Sequence, residues 1–183
     1  MMTGVTGFNY GSDPSGLIWG FRFKPGQTAS RINSVEAAEW LQGMQAHDPS
    51  EFIWLHFNLS NTASEKWMHE YAQVADEFNE VLHDGSRSTR IEVADKTLIA
   101  VVNDVLHSFT FESADIATLW LNVTKNVVIS ARRTPLKSIE RLRQAVEHGD
   151  QIQSRSNYWC TCYAIRRMCW SRSCATLSHG STK

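Results

Sequence analysis

The sequence predicts an α+β fold in which helices cover a mixed parallel and antiparallel sheet, and three observations carry that prediction. The elements run strand, helix, strand, helices, two hairpins and a last helix. Residues 52–57 are almost continuously apolar, as in a central strand covered on both faces. The composition is globular: of 183 residues, 42% are hydrophobic, 10% aromatic and 20% charged, which excludes a disordered or collagen-like chain. This length suits one domain with a sizeable core.

Each element has a local reason. Residues 1–15 are rich in Gly, Ser, Asn and Asp and read as a loose N-terminus. A strand over 16–23 stops at the turn pair Pro25-Gly26. Asn33 and Glu36 have capping-box spacing and open a helix that turns Val35, Ala38, Leu41 and Met44 inward, ending at His47-Asp48-Pro49. After the apolar strand, Thr62 and Glu65 repeat the capping-box spacing. Behind them Trp67, Tyr71, Val74, Phe78 and Leu82 keep a helical period to Asp84-Gly85, with a break near Ala75-Asp76. Residues 89–93 and 97–103 make a hairpin around Ala94-Asp95-Lys96. A loop over 104–117 carries Glu112 and Asp115. Residues 119–124 and 127–131 make a second hairpin across Lys125-Asn126. Thr134 reads as an N-cap with Pro135 at the first helical position. That helix turns Leu136, Ile139, Leu142 and Val146 inward, and Lys137, Glu140, Arg141 and Arg143 outward, to His148-Gly149. This order predicts parallel crossovers early and antiparallel strands late, with no repeat or linker dividing 16–150.

Charge and cysteine are unevenly spread. The formal net charge is −1, too small to draw the chain to nucleic acid or acidic membrane. Residues 154–183 contain no Asp or Glu, while Arg155, Arg166, Arg167, Arg172 and Lys183 are basic, which leaves −6 on residues 1–153. All four cysteines (Cys160, Cys162, Cys169 and Cys174) sit in that tail, so the rest of the chain reads as a thiol-free domain of a reducing compartment. Three readings of 151–183 stand side by side. The ligand types suit a zinc knuckle but not its paired spacing; a disulfide module conflicts with the cysteine-free body; and the missing periodicity fits a segment read in a shifted frame, the favoured reading. No apolar run approaches the roughly 18 residues of a membrane span, and the first twenty residues lack signal-peptide character. The expectation is a soluble domain.

Catalytic signatures are missing. The sequence holds no P-loop, no G-x-G-x-x-G after a strand, no H-E-x-x-H and no G-x-S-x-G, and no two histidines lie four apart on one helix. His56 shares one strand face with Trp54 and Asn58. Its functional reading is a ligand or proton acceptor, and its structural reading a buried imidazole hydrogen-bonded within the sheet; the structural reading is the better one. Glu65, His69 and Glu70 lie close on one helix, where a solvated face outweighs a weak metal site. Arg132 and Arg133 precede a helix start and form a candidate anion site, set against pairing with a neighbouring carboxylate. No enzyme is expected.

The ordered segments Gly16-Leu-Ile-Trp-Gly-Phe, Phe52-Ile-Trp-Leu-His-Phe-Asn-Leu59, Trp67, and Val128-Ile-Ser-Ala-Arg-Arg-Thr-Pro-Leu136 with Ile139-Glu-Arg-Leu142 resemble the cytoplasmic N-terminal domain of CorA-like divalent cation transporters, of the zinc transporter ZntB type. The resemblance covers residues 16–150. It implies a three-layer αβα domain forming the wall of a funnel beneath the membrane, five copies around an axis, on the cytoplasmic side of the inner membrane. It further implies zinc, magnesium or another divalent cation as the transported and regulatory ion, with metal sensing and gating as the domain's role. No ligand motif fixes the metal sites; the acidic and His side chains Glu65, His69, Asp76, Glu77, His83 and Asp84 are the candidates. The family's stalk, two membrane spans and G-x-N signature have no counterpart after Gln153, so the chain itself cannot conduct an ion. Without them a monomer or weak oligomer is expected, touching the membrane only through the missing segments, and any zinc on the tail cysteines is incidental. The alternatives are a free-standing soluble ligand-binding or regulatory protein of the same fold, and, least favoured, a small hydrolase using His56 with a carboxylate.

Overall fold

The computed structural model describes residues 11–84, 88–94, 96–105 and 116–148. The expectations for residues 1–10, Gly85, Asp95, Glu112, Asp115, Gly149 and the cysteine-bearing tail lie outside the described residues.

Seven strands form one mixed sheet: β1 (Leu17–Phe23), β2 (Ser30–Ile32), β3 (Phe52–Asn58), β4 (Arg90–Ala94), β5 (Thr97–Val105), β6 (Ile116–Val123) and β7 (Val127–Arg132), in spatial order β2-β1-β3-β7-β6-β5-β4. The helices are α1 (Ser34–Gln42), α2 (Ala63–Trp67), α3 (Asp76–His83) and α4 (Lys137–His148). A single 3-10 turn follows α1, and a π-helical turn (Met68–Ala72) extends α2. The α+β, three-layer αβα arrangement follows from the two faces of the sheet. On one face Ile53, Leu55, Phe57, Ile99, Val101 and Ile129 pack against Ala37 and Trp40 of α1, Trp67 and Met68, and Phe78, Val81 and Leu82 of α3. On the other, Phe21, Trp54, Ala100, Leu119, Leu121 and Val128 pack against Ile139 and Val146 of α4, with Leu136 just before it.

The strand pairing corrects the expected early parallel crossover. β1 pairs antiparallel with β3, because the short β2 first folds back along β1 and reverses the chain before α1. The parallel pair is β3 with β7, Ile53 opposite Val127 through Asn58 opposite Arg132; the meander β7-β6-β5-β4 is antiparallel, as expected. β3 is the buried central strand its apolar run predicts. In β1 the register shifts between Leu17, opposite Phe57, and Trp19, opposite His56. Ile18 is the extra residue of this bulge, so Leu17 joins the α1–α3 face while Trp19 joins the α4 face.

Four further expectations change. The Asn33 capping box forms, its side chain accepting from the Val35 and Glu36 amides while Glu36 accepts from the Asn33 amide. The face behind it is rotated, however: Ala37 and Trp40 are buried while Val35 and Met44 are exposed. Thr62 makes no cap, because it is itself helical (φ −63°); the Asn61 carboxamide oxygen accepts from the Ala63 amide instead. The predicted loop over 104–117 is shorter, since β5 runs to Val105 and β6 starts at Ile116. Finally, α4 starts at Lys137, two residues past Pro135. Leu136 is drawn into the core and its carbonyl accepts the first helical bond, from the Glu140 amide at 3.2 Å.

Candidate functional site

Polar chemistry in the interior gathers where β3 meets β7, beneath α4. Trp19, His56, Ser130 and Leu121 stand in one row across four strands. The Trp54 indole Nε1 donates to Ser130 Oγ at 2.9 Å, and His56 Nδ1 lies 2.8 Å from the same oxygen. Ser130 Oγ is 3.4 Å from the Leu55 carbonyl, and Arg132 Nε donates to His56 Nε2 at 3.2 Å. These contacts assign the protons. Arg132 can only donate, so Nε2 accepts and the neutral imidazole carries its hydrogen on Nδ1, donating to Ser130; Ser130 then donates to Leu55. Trp19 stacks on the imidazole at 4.7 Å and meets Trp54 edge-on at 4.6 Å.

His56 is 1% exposed. Burial first, and the Arg132 guanidinium second, hold its pKa well below the ordinary histidine range, against an opposing contact with Ser130. The ring is neutral, sealed and bonded at both nitrogens, so it offers neither an open ligand position nor a base to a substrate at the surface. Asn58 is buried on the same face, its side chain accepting from the Ser60 amide at 3.0 Å. Trp54, His56 and Asn58 are thus all buried on one face of β3.

The arginine pair is split. Arg132 is buried on the α4 face, its pKa lowered by burial and partly restored by Glu140. Arg133 is exposed and its guanidinium lies 6.0 Å from the Trp120 ring, which belongs to the opposite face. Arg132 ends β7 and Arg133 lies just past it, so the burial of one and the exposure of the other set the two guanidiniums in different surroundings.

The six candidate metal ligands lie along the outer surface of the α2–α3 layer. Asp76, Glu77 and His83 on α3, and Asp84 just past its end, are exposed while Phe78, Val81 and Leu82 point inward. His69 is exposed in the π-helical turn, whose wider i→i+5 bonding offsets it from the α-helical alignment with Glu65. Glu65 instead faces His83, Oε2 to Nδ1 at 3.9 Å. Next to His69, the Glu70 carboxylate raises the Tyr71 phenol through their hydrogen bond. Among the described residues no three His, Cys, Asp or Glu side chains converge to hold a metal ion, so one copy assembles no metal centre from these six.

Ser130, the node of the buried network, was not singled out from sequence. Its signal was present: one hydroxyl inside the otherwise apolar Val127-Val-Ile-Ser-Ala131, level with the one imidazole of β3.

Residues 49–166 match the family described as CorA-like Mg2+ transporter protein. The chain belongs to this family. Among solved structures, the full-length CmaX protein superposes with TM-score 0.65 at 20% identity, covering 91% of this chain and 49% of that one. The ZntB cytoplasmic domain from Vibrio parahaemolyticus gives 0.60 at 16% identity, covering 79% and 55%. The soluble domain of CorA from Methanocaldococcus jannaschii gives 0.53 at 12%, covering 87% and 60%. At such identities the likeness is one of fold. The chain spans about half to three-fifths of the length of these structures. No curated protein matches it. Among the described residues no helix is long and apolar enough to cross a membrane.

Proposed function

We propose that this CorA-like chain is the cytoplasmic domain of a divalent-cation transporter, with zinc as the carried ion, and that it senses metal and biases gating. The observation that carries the proposal is the family match over residues 49–166, and the fold likeness to the ZntB cytoplasmic domain supports it. In this reading the domain lies on the cytoplasmic side of the cell membrane and works as one copy of a homo-oligomer, a pentamer by family resemblance. The exposed carboxylates Asp76, Glu77 and Asp84 concentrate cations at the outer helix layer. Among the described residues no three metal ligands come together in one copy, and in this reading a regulatory ion is shared between neighbouring copies. Metal then acts by binding one arrangement of neighbouring domains better than another.

The test is sedimentation velocity of the full chain with Cys160, Cys162, Cys169 and Cys174 changed to Ser, so that tail thiols do not report. Zinc is expected to shift the weight-average sedimentation coefficient upward relative to EDTA, and Asp76→Asn, Glu77→Gln and Asp84→Asn together to abolish the shift. Identical profiles in zinc, magnesium and EDTA would overturn the sensing role.

A further inference from the structure

The two edges of the sheet are unlike. β2, at one edge, is three residues long, and its exposed Arg31 is tied down, paired with Glu147 of α4 and lying 5.9 Å from the Phe21 ring. β4, at the other edge, runs five residues and among the described residues pairs with β5 alone. An antiparallel edge strand turns the N–H and C=O of every second residue outward, which makes it a template for a further strand.

Three features of β4 fit one kind of partner. First, it carries open apolar surface. Val93 is 72% exposed and stands opposite Leu98; with the half-buried Ile91, Leu98 and Val102 it forms a strip on the face of α4 that this helix leaves partly uncovered. Second, the other face of β4 carries Arg90 and Glu92, opposite Val101 and Ile99. Charge of a single sign along an edge would repel a second copy, whereas here opposite signs flank Ile91. Third, Arg90 is poorly served within one copy. Its Nε is buried with no hydrogen-bond partner, and Glu92 Oε1, next but one on the same strand, lies 3.6 Å away, beyond hydrogen-bond reach.

A second copy of the same strand answers all three. When two copies of β4 lie antiparallel with Ile91 opposite Ile91, Arg90 of each faces Glu92 of the other, and Thr89 faces Val93 on the apolar side. A two-fold axis normal to the sheet keeps like faces together, so the alignment changes only by whole residues about that axis. Moving the axis to either neighbour sets Arg90 against Arg90 or Glu92 against Glu92, which selects Ile91. We propose that this chain forms a symmetric dimer through β4, paired antiparallel about Ile91, which joins two sheets into one. The partner is a second copy because the strand is its own charge complement. A two-fold contact closes on itself and adds no member to a pentameric ring. The dimer is therefore separate from the assembly proposed above and needs no metal.

Sedimentation equilibrium of the full chain, with the four tail cysteines changed to Ser and EDTA present, tests it. A reversible monomer–dimer equilibrium is expected. Arg90→Glu leaves only carboxylates facing one another along the seam, and Glu92→Arg only guanidiniums, so each alone is expected to raise the dimer Kd about tenfold or more. Mixed in equal amounts, the two variants offer opposite charges at both pairs and are expected to dimerise with each other about as tightly as the parent chain. A chain still monomeric at millimolar concentration, an assembly that neither substitution weakens, or a mixture that forms no heterodimer would overturn the proposal. Should either variant lose its far-UV circular dichroism, hydrogen exchange of the parent chain supplies the second reading. Its β4 amides are expected to exchange more slowly above the dimer Kd than below it, and rates that ignore concentration overturn the dimer.

Discussion

Replacing Ser130 by Ala probes the buried network with almost no change in volume. Ser130 is fully buried and its one oxygen serves two donors, Trp54 Nε1 and His56 Nδ1. Alanine leaves both N–H groups without an acceptor in an interior that water does not reach. Each stranded donor costs about 1–3 kcal/mol, so the pair is expected to cost about 2–6 kcal/mol. For a domain whose denaturant slope in urea is about 2 kcal/mol per molar, the midpoint moves down by about 1–3 M. Equilibrium urea unfolding followed by far-UV circular dichroism measures this, with an unchanged slope required for the comparison. Trp54→Phe in the same background removes one of the stranded donors and should recover about 1 kcal/mol, read as a coupling energy in a double-mutant cycle. A midpoint within 0.3 M (roughly 0.6 kcal/mol) of wild type would refute the reasoning, since the hydroxyl would then not be the shared acceptor.

Acid should weaken the fold through His56. Its folded pKa is depressed, so below about pH 6.5 the unfolded chain takes up a proton that the folded chain refuses. Its contribution is therefore complete above that pH and is lost as pH falls, by at most about 1.4 kcal/mol per unit; urea midpoints at pH 7.5 and 5.5 should separate for wild type and converge for His56→Gln. Gly16→Ala should be among the most damaging single changes: φ is +87°, and a Cβ there would lie 1.8 Å from Ser64 Oγ, whose hydroxyl donates to the Asn58 carbonyl. A loss of about 3 kcal/mol or more, seen as a Tm drop of about 6–12 °C by calorimetry, is expected. Asn33→Ala removes the acceptor for the Val35 and Glu36 amides and should cost about 1 kcal/mol, against a few tenths for Asn33→Gly, in the same urea assay.

What could be read without coordinates was whatever is decided locally. The Asn33 box needs only residues three apart, and the hairpin at Lys125-Asn126 only the strands on either side. The rotated face of α1 shows the limit: Val35 and Met44 sit at the ends of the helical stretch, where the chain turns away from the sheet, and Trp40 outweighs them in the core. β2 offered three residues, Ser-Arg-Ile, with no alternation long enough to mark a strand, and its absence from the reading also concealed the reversal that sets β1 against β3. Thr62 had the right spacing and the wrong backbone. The site was least legible because its members are far apart in sequence: Ser130 and Arg132 lie 74 and 76 residues from His56. Periodicity placed His56 among Trp54 and Asn58 on one face, but a one-dimensional pattern does not say which strand lies alongside.

Two apolar strands laid side by side are poorly indexed. β3 and β7 are buried on both faces along nearly their whole length, so sliding one past the other by two residues would keep every side chain on its proper face. Grease does not tell these alignments apart. The polar atoms do, because only the observed alignment sets His56 level with Ser130 and brings Arg132 within reach of the imidazole. The two halves of the sheet, Leu17–Asn58 and Arg90–Arg132, meet at this one seam, and its hydrogen-bonded ring and hydroxyl act as a keyed joint that admits a single fit.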